Sequence, residues 1–185
     1  MCFVVRIRPA LASDAEPIAA VLRAAFTPYA ALYTRAGLAA TAVSPTEVQQ
    51  RIREGPVWVA ETNGKIVGTV SAALRIAAVY VRGMAVIPEA QRRGIGDRLL
   101  HHVEQFAREN DAALLELTTT PFLLSARRLY ERNGFRYAPG EKDLHGTPLL
   151  GMEKLLTPAA ELTRGVVGQG EPAITGAAPL AEPAP

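Results

Sequence analysis

The chain has 185 residues, 49% of them hydrophobic and 21% charged, and 20 basic against 18 acidic side chains leave a net charge of +2. That length and apolar content suit one globular domain with a sizeable core. The interspersed charges exclude the basic stripe of a nucleic-acid binder, and no apolar run approaches the roughly 20 residues of a membrane span. The N-terminus Met1-Cys2-Phe3-Val4-Val5-Arg6 is charged too early for a signal peptide. Cys2, the single cysteine, rules out an internal disulfide framework, so a reducing cytoplasm is the expected setting.

Residues 4–8 read as a first strand. Ser13 or Asp14 is the expected N-cap of a helix running to about Phe26, with Pro17 in its first turn and Ile18, Val21, Leu22 and Phe26 on its apolar face. Residues 27–44, holding Pro28, Tyr29, Tyr33 and Gly37, fit either a second helix or a broken loop. Pro45-Thr46-Glu47 opens a helix through Arg53. The runs at 57–60 and 66–73 flank Asn63-Gly64, the favoured dipeptide of a tight hairpin, and a strand at 79–87 completes a meander.

A helix over 95–109 carries Ile95, Leu99, Val103 and Phe106 on one face. A strand at 113–119 follows, then a helix over 125–133 stopped by Gly134. The last strand pair is expected at 135–137 and 149–153, joined by a polar loop with Asp143, His145 and Pro148. From Thr157 onward Pro, Ala, Gly and Glu dominate. Such a segment buries too little apolar surface to offset its ordering entropy. The domain is therefore expected over 1–156, with a disordered tail over 157–185. Helices around a central run of strands give an α+β domain with one mixed, mostly antiparallel sheet.

The most informative stretch is residues 80–100. A strand ending Val86-Ile87-Pro88 runs into Gln91-Arg92-Arg93-Gly94-Ile95-Gly96, and a helix opens directly behind it. Glycines let backbone N–H groups approach a ligand, and a helix N-terminus has unpaired N–H groups and a partial positive charge. Together they make a site for phosphate or pyrophosphate, with Arg92, Arg93 and Arg98 adding charge. The string is neither a Walker loop nor a dinucleotide fingerprint.

The pattern Q-x-x-G-x-G behind that strand resembles the acetyl-CoA motif of the GNAT acyltransferase superfamily. Leu129-Tyr130-Glu131-Arg132-Asn133-Gly134-Phe135 resembles its L-Y-x-x-x-G-F signature. The resemblance covers about residues 3–156. It implies a sheet whose strands near 79–87 and 113–119 splay apart to receive the pantetheine arm of acetyl-CoA, with a bulge at Gly83 beside Met84. It also implies backbone contacts from Met84, Ala85 and Val86 to the pantetheine and thioester. Arg92, Arg93, Gly94, Ile95, Gly96 and Asp97 would surround the pyrophosphate.

The implied activity is acetyl-CoA-dependent N-acetyl transfer to a primary amine of a small molecule or peptide by direct attack. Tyr130 is the implied general acid at the sulfur, since a Tyr pKa of roughly 10 keeps its hydroxyl protonated at neutral pH. Glu116, in Leu115-Glu116-Leu117, resembles the glutamate that serves as base in some members. Tyr29, Tyr33 and His145 are candidates for the acceptor pocket. The family's asparagine seven residues before the tyrosine is Leu123 here, and Thr118, Thr119 or Thr120 would have to replace its hydrogen bond. Arg82-Gly83 stand where histone-type members carry a glutamate base, which disfavours that mechanism. No His/Cys/Asp cluster has metal-ligand spacing, so no metal is expected. A homodimer is compatible with this reading; nucleic-acid and membrane partners are not expected. A non-catalytic acyl-CoA-binding regulatory domain remains the alternative.

Overall fold

The computed structural model describes residues 4–156, so Cys2 and the expected tail over 157–185 lie outside it. Its strands are β1 (Arg6–Pro9), β2 (Val57–Thr62), β3 (Lys65–Arg75), β4 (Ala78–Val86), β5 (Leu114–Thr119), β6 (Arg136–Tyr137), β7 (Lys142–Leu144) and β8 (Thr147–Leu155). Its helices are α1 (Ala15–Phe26), α2 (Arg35–Thr41), α3 (Pro45–Glu54), α4 (Ile95–Glu109) and α5 (Leu124–Arg132). The sheet has eight strands in the order β1-β2-β3-β4-β5-β8-β6, with β7 pairing on β8. The β4–β5 pair is parallel and the others are antiparallel. This is the α+β architecture read from the alternation of elements.

Period-two alternation divides the core between the two faces of the sheet. On β2, Val57 and Val59 pack with α1 and α3 through Ile18, Leu22 and Val48, whereas Ala60 faces the other side. There Ile95, Leu99, Val103 and Ala107 of α4, spaced at four residues, cover Val79, Val81, Leu115 and Leu117. Trp58 meets Phe106 of α4 edge-on, with ring centroids 5.5 Å apart. Each fully buried aliphatic side chain contributes about 1.5–3 kcal/mol, so these two layers fix where the strands end and hence where a cleft opens.

Two segments differ from the sequence reading, and in a third the structure decides between the two alternatives left open. Asp14 does not cap α1: its carboxylate accepts from Arg8 Nη1 (2.6 Å) and from the Leu11 N–H (2.7 Å). The Arg8 guanidinium and the Leu11 N–H occupy the carboxylate in place of the first N–H groups of α1. Residues 27–44 resolve into a 3-10 segment over Thr27–Leu32 and the helix α2, whose N-cap Thr34 accepts from the Gly37 N–H (3.0 Å). The expected polar loop before β8 contains β7, which pairs back on β8 through a two-residue turn, His145-Gly146, with φ of 51° and 82°. Asn63-Gly64 form the expected hairpin turn with φ of 49° and 73°.

Two irregularities in β4 shape the centre of the molecule. Pairing with β5 spans Ala78–Val81 against Leu114–Leu117 and then stops, although β4 continues along β3 and β5 continues along β8. A step of two residues on β3, Thr69 to Ser71, faces a step of three on β4, Ala85 to Arg82. The extra residue is the bulge expected at Gly83 beside Met84, and Gly83 has φ of 58°.

Candidate active site

A cleft of about 1280 Å³ opens where β4 and β5 part. Its floor is β4 from Tyr80 to Val86. The 88–97 turn and α5 form one wall; the end of α1, the 27–33 segment, Arg51 of α3 and β7 form the other.

The turn is pinned by Gln91, whose Nε2 donates to the Val86 carbonyl (3.0 Å). Arg92 and Gly94 have φ of 60° and 72°, and Gly94 is the N-cap of α4. Left-handed residues within such a turn bring successive N–H groups to one side and create an anion-binding concavity. A Cβ at Gly94 would meet nothing within 4 Å, so the backbone there is open to the cleft. Gly96 serves a different purpose. A Cβ at 96 would stand 2.9 Å from Leu129 Cδ2 and 3.5 Å from Met84 Cε, so this glycine lets α5 approach α4.

Of the expected cofactor residues, Met84, Ala85, Val86, Arg92, Gly94, Ile95, Gly96 and Asp97 line the cleft; Arg93 is exposed outside the lining. Arg98 faces a separate shallow groove with His101 and His102. The additional charge over the cleft comes instead from Arg128 and Arg132 of α5. The Asp97 carboxylate accepts from Arg132 (2.7 and 3.0 Å) and Asn133 (2.9 Å). Hydrogen bonding to the Arg132 guanidinium holds its pKa below the usual carboxylate range. Its side chain ties the start of α4 to the end of α5, leaving its backbone to face the cleft.

Tyr130 is 7% exposed, stands edge-on to Phe135 at 5.7 Å, and lines the cleft. Its hydroxyl has no hydrogen-bond partner among the described residues. Burial pushes its pKa well above the ordinary tyrosine value, with Tyr80 and Tyr33 adding to the shift. The group is a proton donor throughout the neutral range.

Glu116 is placed elsewhere. Its carboxylate accepts from Arg75 Nη1 (2.8 Å), and it is not among the residues lining the cleft. Strand alternation does put it on the same face as Tyr80 and Thr118, whose hydroxyls lie 2.8 Å apart at the cleft edge. It lies two residues back along β5, in the paired part of the β4–β5 ladder, where Arg75 stacks on the Tyr80 ring at 4.1 Å. The physical reason is the ladder: the cleft begins where pairing ends, beyond Leu117.

Of the residues expected at the acceptor pocket, Tyr29 and Tyr33 both line the cleft and pack on Phe122 at 6.5 and 4.9 Å. His145 does not: it is exposed at the β7–β8 turn, and its carbonyl accepts from Thr34 Oγ1 (2.8 Å). The Thr34 N–H donates to Thr147 Oγ1 (3.0 Å), so Thr34 latches the β7–β8 hairpin to the 27–41 segment. Leu123, Thr118 and Thr119 line the cleft, while Thr120 is buried with an unpaired hydroxyl. Sequence reasoning missed Arg51, Tyr80 and Arg82 as lining residues. Alternation along β4 was a usable signal for Tyr80 and Arg82; an arginine on a helix carries none.

A sequence model described as the acetyltransferase (GNAT) family matches residues 21–135, from α1 through the turn, α5 and the aromatic that follows Gly134. The chain belongs to that family. It is an acyltransferase, and the matched segment contains β4, the 88–97 turn, α4 and α5. The chain is 30% identical over 140 residues to an uncharacterized N-acetyltransferase, YhfO, of Bacillus subtilis, covering 72% of this chain and 91% of that one. It is 36% identical over 85 residues to human N-acetyltransferase 8B, covering 43% of this chain and 37% of that one. Among solved structures, the PaiA N-acetyltransferase of Thermoplasma acidophilum, in complex with coenzyme A, superposes with a TM-score of 0.71 over 83% of this chain and 99% of its own, at 18% identity. That likeness establishes the fold. The family match ends at Phe135, so the β7–β8 hairpin lies beyond it.

Proposed function

We propose that this protein transfers the acetyl group of acetyl-CoA to a primary amine of a small molecule or peptide by direct attack of the amine on the thioester. The observation that carries the reading is Tyr130: a buried phenol in the cleft between β4 and β5, held in its protonated form and without a protein partner for its hydroxyl among the described residues. When bound, acetyl-CoA supplies an acyl group activated as a thioester.

The chain's residues then have distinct tasks. The N–H groups of 92–97 and the N-terminus of α4 hold the pyrophosphate, where the open face of Gly94 admits close approach. From Arg82 to Val86, β4 has β3 on one side and the cleft on the other, so its backbone is available to align the pantetheine and orient the thioester. Tyr130 gives its proton to the departing sulfur. The amine proton leaves to water in the open cleft, beside the hydroxyls of Tyr80 and Thr118, and water returns a proton to the Tyr130 phenolate. Glu116, engaged by Arg75, is not required at contact distance.

The test is release of free CoA from acetyl-CoA, followed with a thiol reagent against a panel of amines, in wild type and Tyr130→Phe. Amine-dependent release that falls in the variant supports the reading. Tight acetyl-CoA binding with no release against any amine would instead assign an acyl-CoA-binding domain.

A further inference from the structure

We infer that the amine acceptor is an α-amino acid whose carboxylate is bound by Arg51 and Arg82 at the β4 bulge; this rests on the acetyl-transfer reading above. Arg51 follows Val48, 1% exposed, by three residues on α3, and helix geometry places both on the inward face. Its guanidinium is half-buried in the cleft and has no ion pair or hydrogen bond among the described residues. It lies directly over the bulge: a Cβ at position 83 would stand 2.7 Å from Arg51 Nη1, so glycine there is what leaves it room.

The neighbouring Arg82 donates from Nη2 to Glu54 (2.8 Å), and its Nε is buried without a partner. Of the carboxylates near Arg51, Glu54 pairs with Arg82 and Glu47 accepts from Ser44 at the start of α3, so neither forms an ion pair with Arg51. Burial and the charge of Arg82 push the Arg51 pKa down, outweighing the opposite pull of Glu47 and Glu54.

Leaving buried cationic donors unpaired is costly, and a bound anion removes that cost. A guanidinium presents parallel N–H groups that match the two oxygens of a carboxylate. The location selects which carboxylate. Arg51 touches Gly83, immediately before the Met84–Val86 backbone that would align the acyl group. The negative charge must therefore sit close to the attacking nitrogen, and a carboxylate on the carbon bearing the amine has that spacing. A peptide N-terminus lacks it, because its α-carboxyl is spent in an amide bond.

The decisive experiment measures kcat/KM with acetyl-CoA for a set of α-amino acids and for their α-amides, which keep the amine and side chain but are neutral at the carboxyl. Wild type is expected to prefer acids over amides by about 10- to 100-fold, the size of a lost charged hydrogen bond. Arg51→Gln and Arg82→Gln should each collapse that ratio, mainly through KM for the acids. Arg51→Lys, which keeps the charge without the fork, should restore part of it. Thermal melting of each variant checks that it is folded, and the Arg82 variant carries the test if the Arg51 variant is not. Amides turned over as fast as acids, or a preference unchanged in both glutamine variants, would overturn the acceptor assignment while leaving acetyl transfer standing. No CoA release with any acid or amide would overturn this assignment, and no release against the wider amine panel either would remove the transfer reading with it.

Discussion

The two halves of the cleft are built on different principles. The proposed cofactor half is made of main chain: a strand that has lost one neighbour, a turn with left-handed residues, and a helix N-terminus, all within residues 82–97. The proposed acceptor half is made of side chains from α1, the 27–33 segment, α3, β4, β5 and β7. Main-chain sites demand glycine and dihedral angles that few residues adopt, so they leave a mark on the sequence. Side-chain sites assembled from distant elements leave almost none. One half is constrained by chemistry common to every acetyl-CoA user; the other is free to follow its substrate.

The largest effect should come from filling the main-chain half. Gly94→Glu forces a side chain into a backbone of φ 72° and sets a carboxylate where the pyrophosphate is proposed to lie. Like-charge juxtaposition costs several kcal/mol, so calorimetry should show acetyl-CoA affinity falling by about 100-fold or more. Unchanged affinity would show that the turn is not the anion site.

Next comes Tyr130→Phe, which keeps the ring against Phe135 and removes the hydroxyl. A fall in kcat of about 10²-fold is expected, with acetyl-CoA affinity and melting temperature little changed. Because the folded pKa of this group is raised, wild-type activity should show no alkaline loss from its titration up to the ordinary tyrosine range near pH 10. Rate loss centred below pH 9 that disappears in Tyr130→Phe would contradict this.

A smaller effect separates the two glycines of the motif. Gly96→Ala gains about 1 kcal/mol of helix propensity and loses about 1–3 kcal/mol to crowding against Leu129, so stability should shift by no more than about 2 kcal/mol. The clash is with the residue next to Tyr130 on α5, and displacement of a catalytic group by a fraction of an ångström should lower kcat by about tenfold. If acetyl-CoA affinity falls more steeply than kcat, the crowding acts through the phosphate turn rather than through α5. Smallest of all, Glu116→Gln removes a half-exposed ion pair outside the cleft and should change kcat/KM by less than about threefold. A loss near that of Tyr130→Phe would return Glu116 to the catalytic machinery.

Legibility followed the same division. The meander, the Asn63-Gly64 hairpin, α4, α5 and the bulge at Gly83 were readable because periodicity, turn residues and the motif each point to one local geometry. The β7–β8 hairpin was not. Its turn is His145-Gly146 rather than an asparagine pair, and β7 is only three residues long, too short for alternation to register. Arg51 was invisible for another reason: an arginine at helical spacing reads as a solvated face, and only packing shows that it points inward. Glu116 was placed on the correct face by alternation, but where the ladder ends is a tertiary property.

The latch between Thr34 and Thr147 has a bearing on how the molecule comes together. It joins residues 113 positions apart, while the cofactor turn closes over contacts such as Gln91 to Val86, five apart. Contacts of high sequence separation form late, because their loop entropy is met before they reward it. During synthesis, the proposed donor side can take shape before the last strand is made, whereas the β7–β8 wall must wait for β8 to dock. On that reading, an incomplete chain would form its donor site before the wall opposite it.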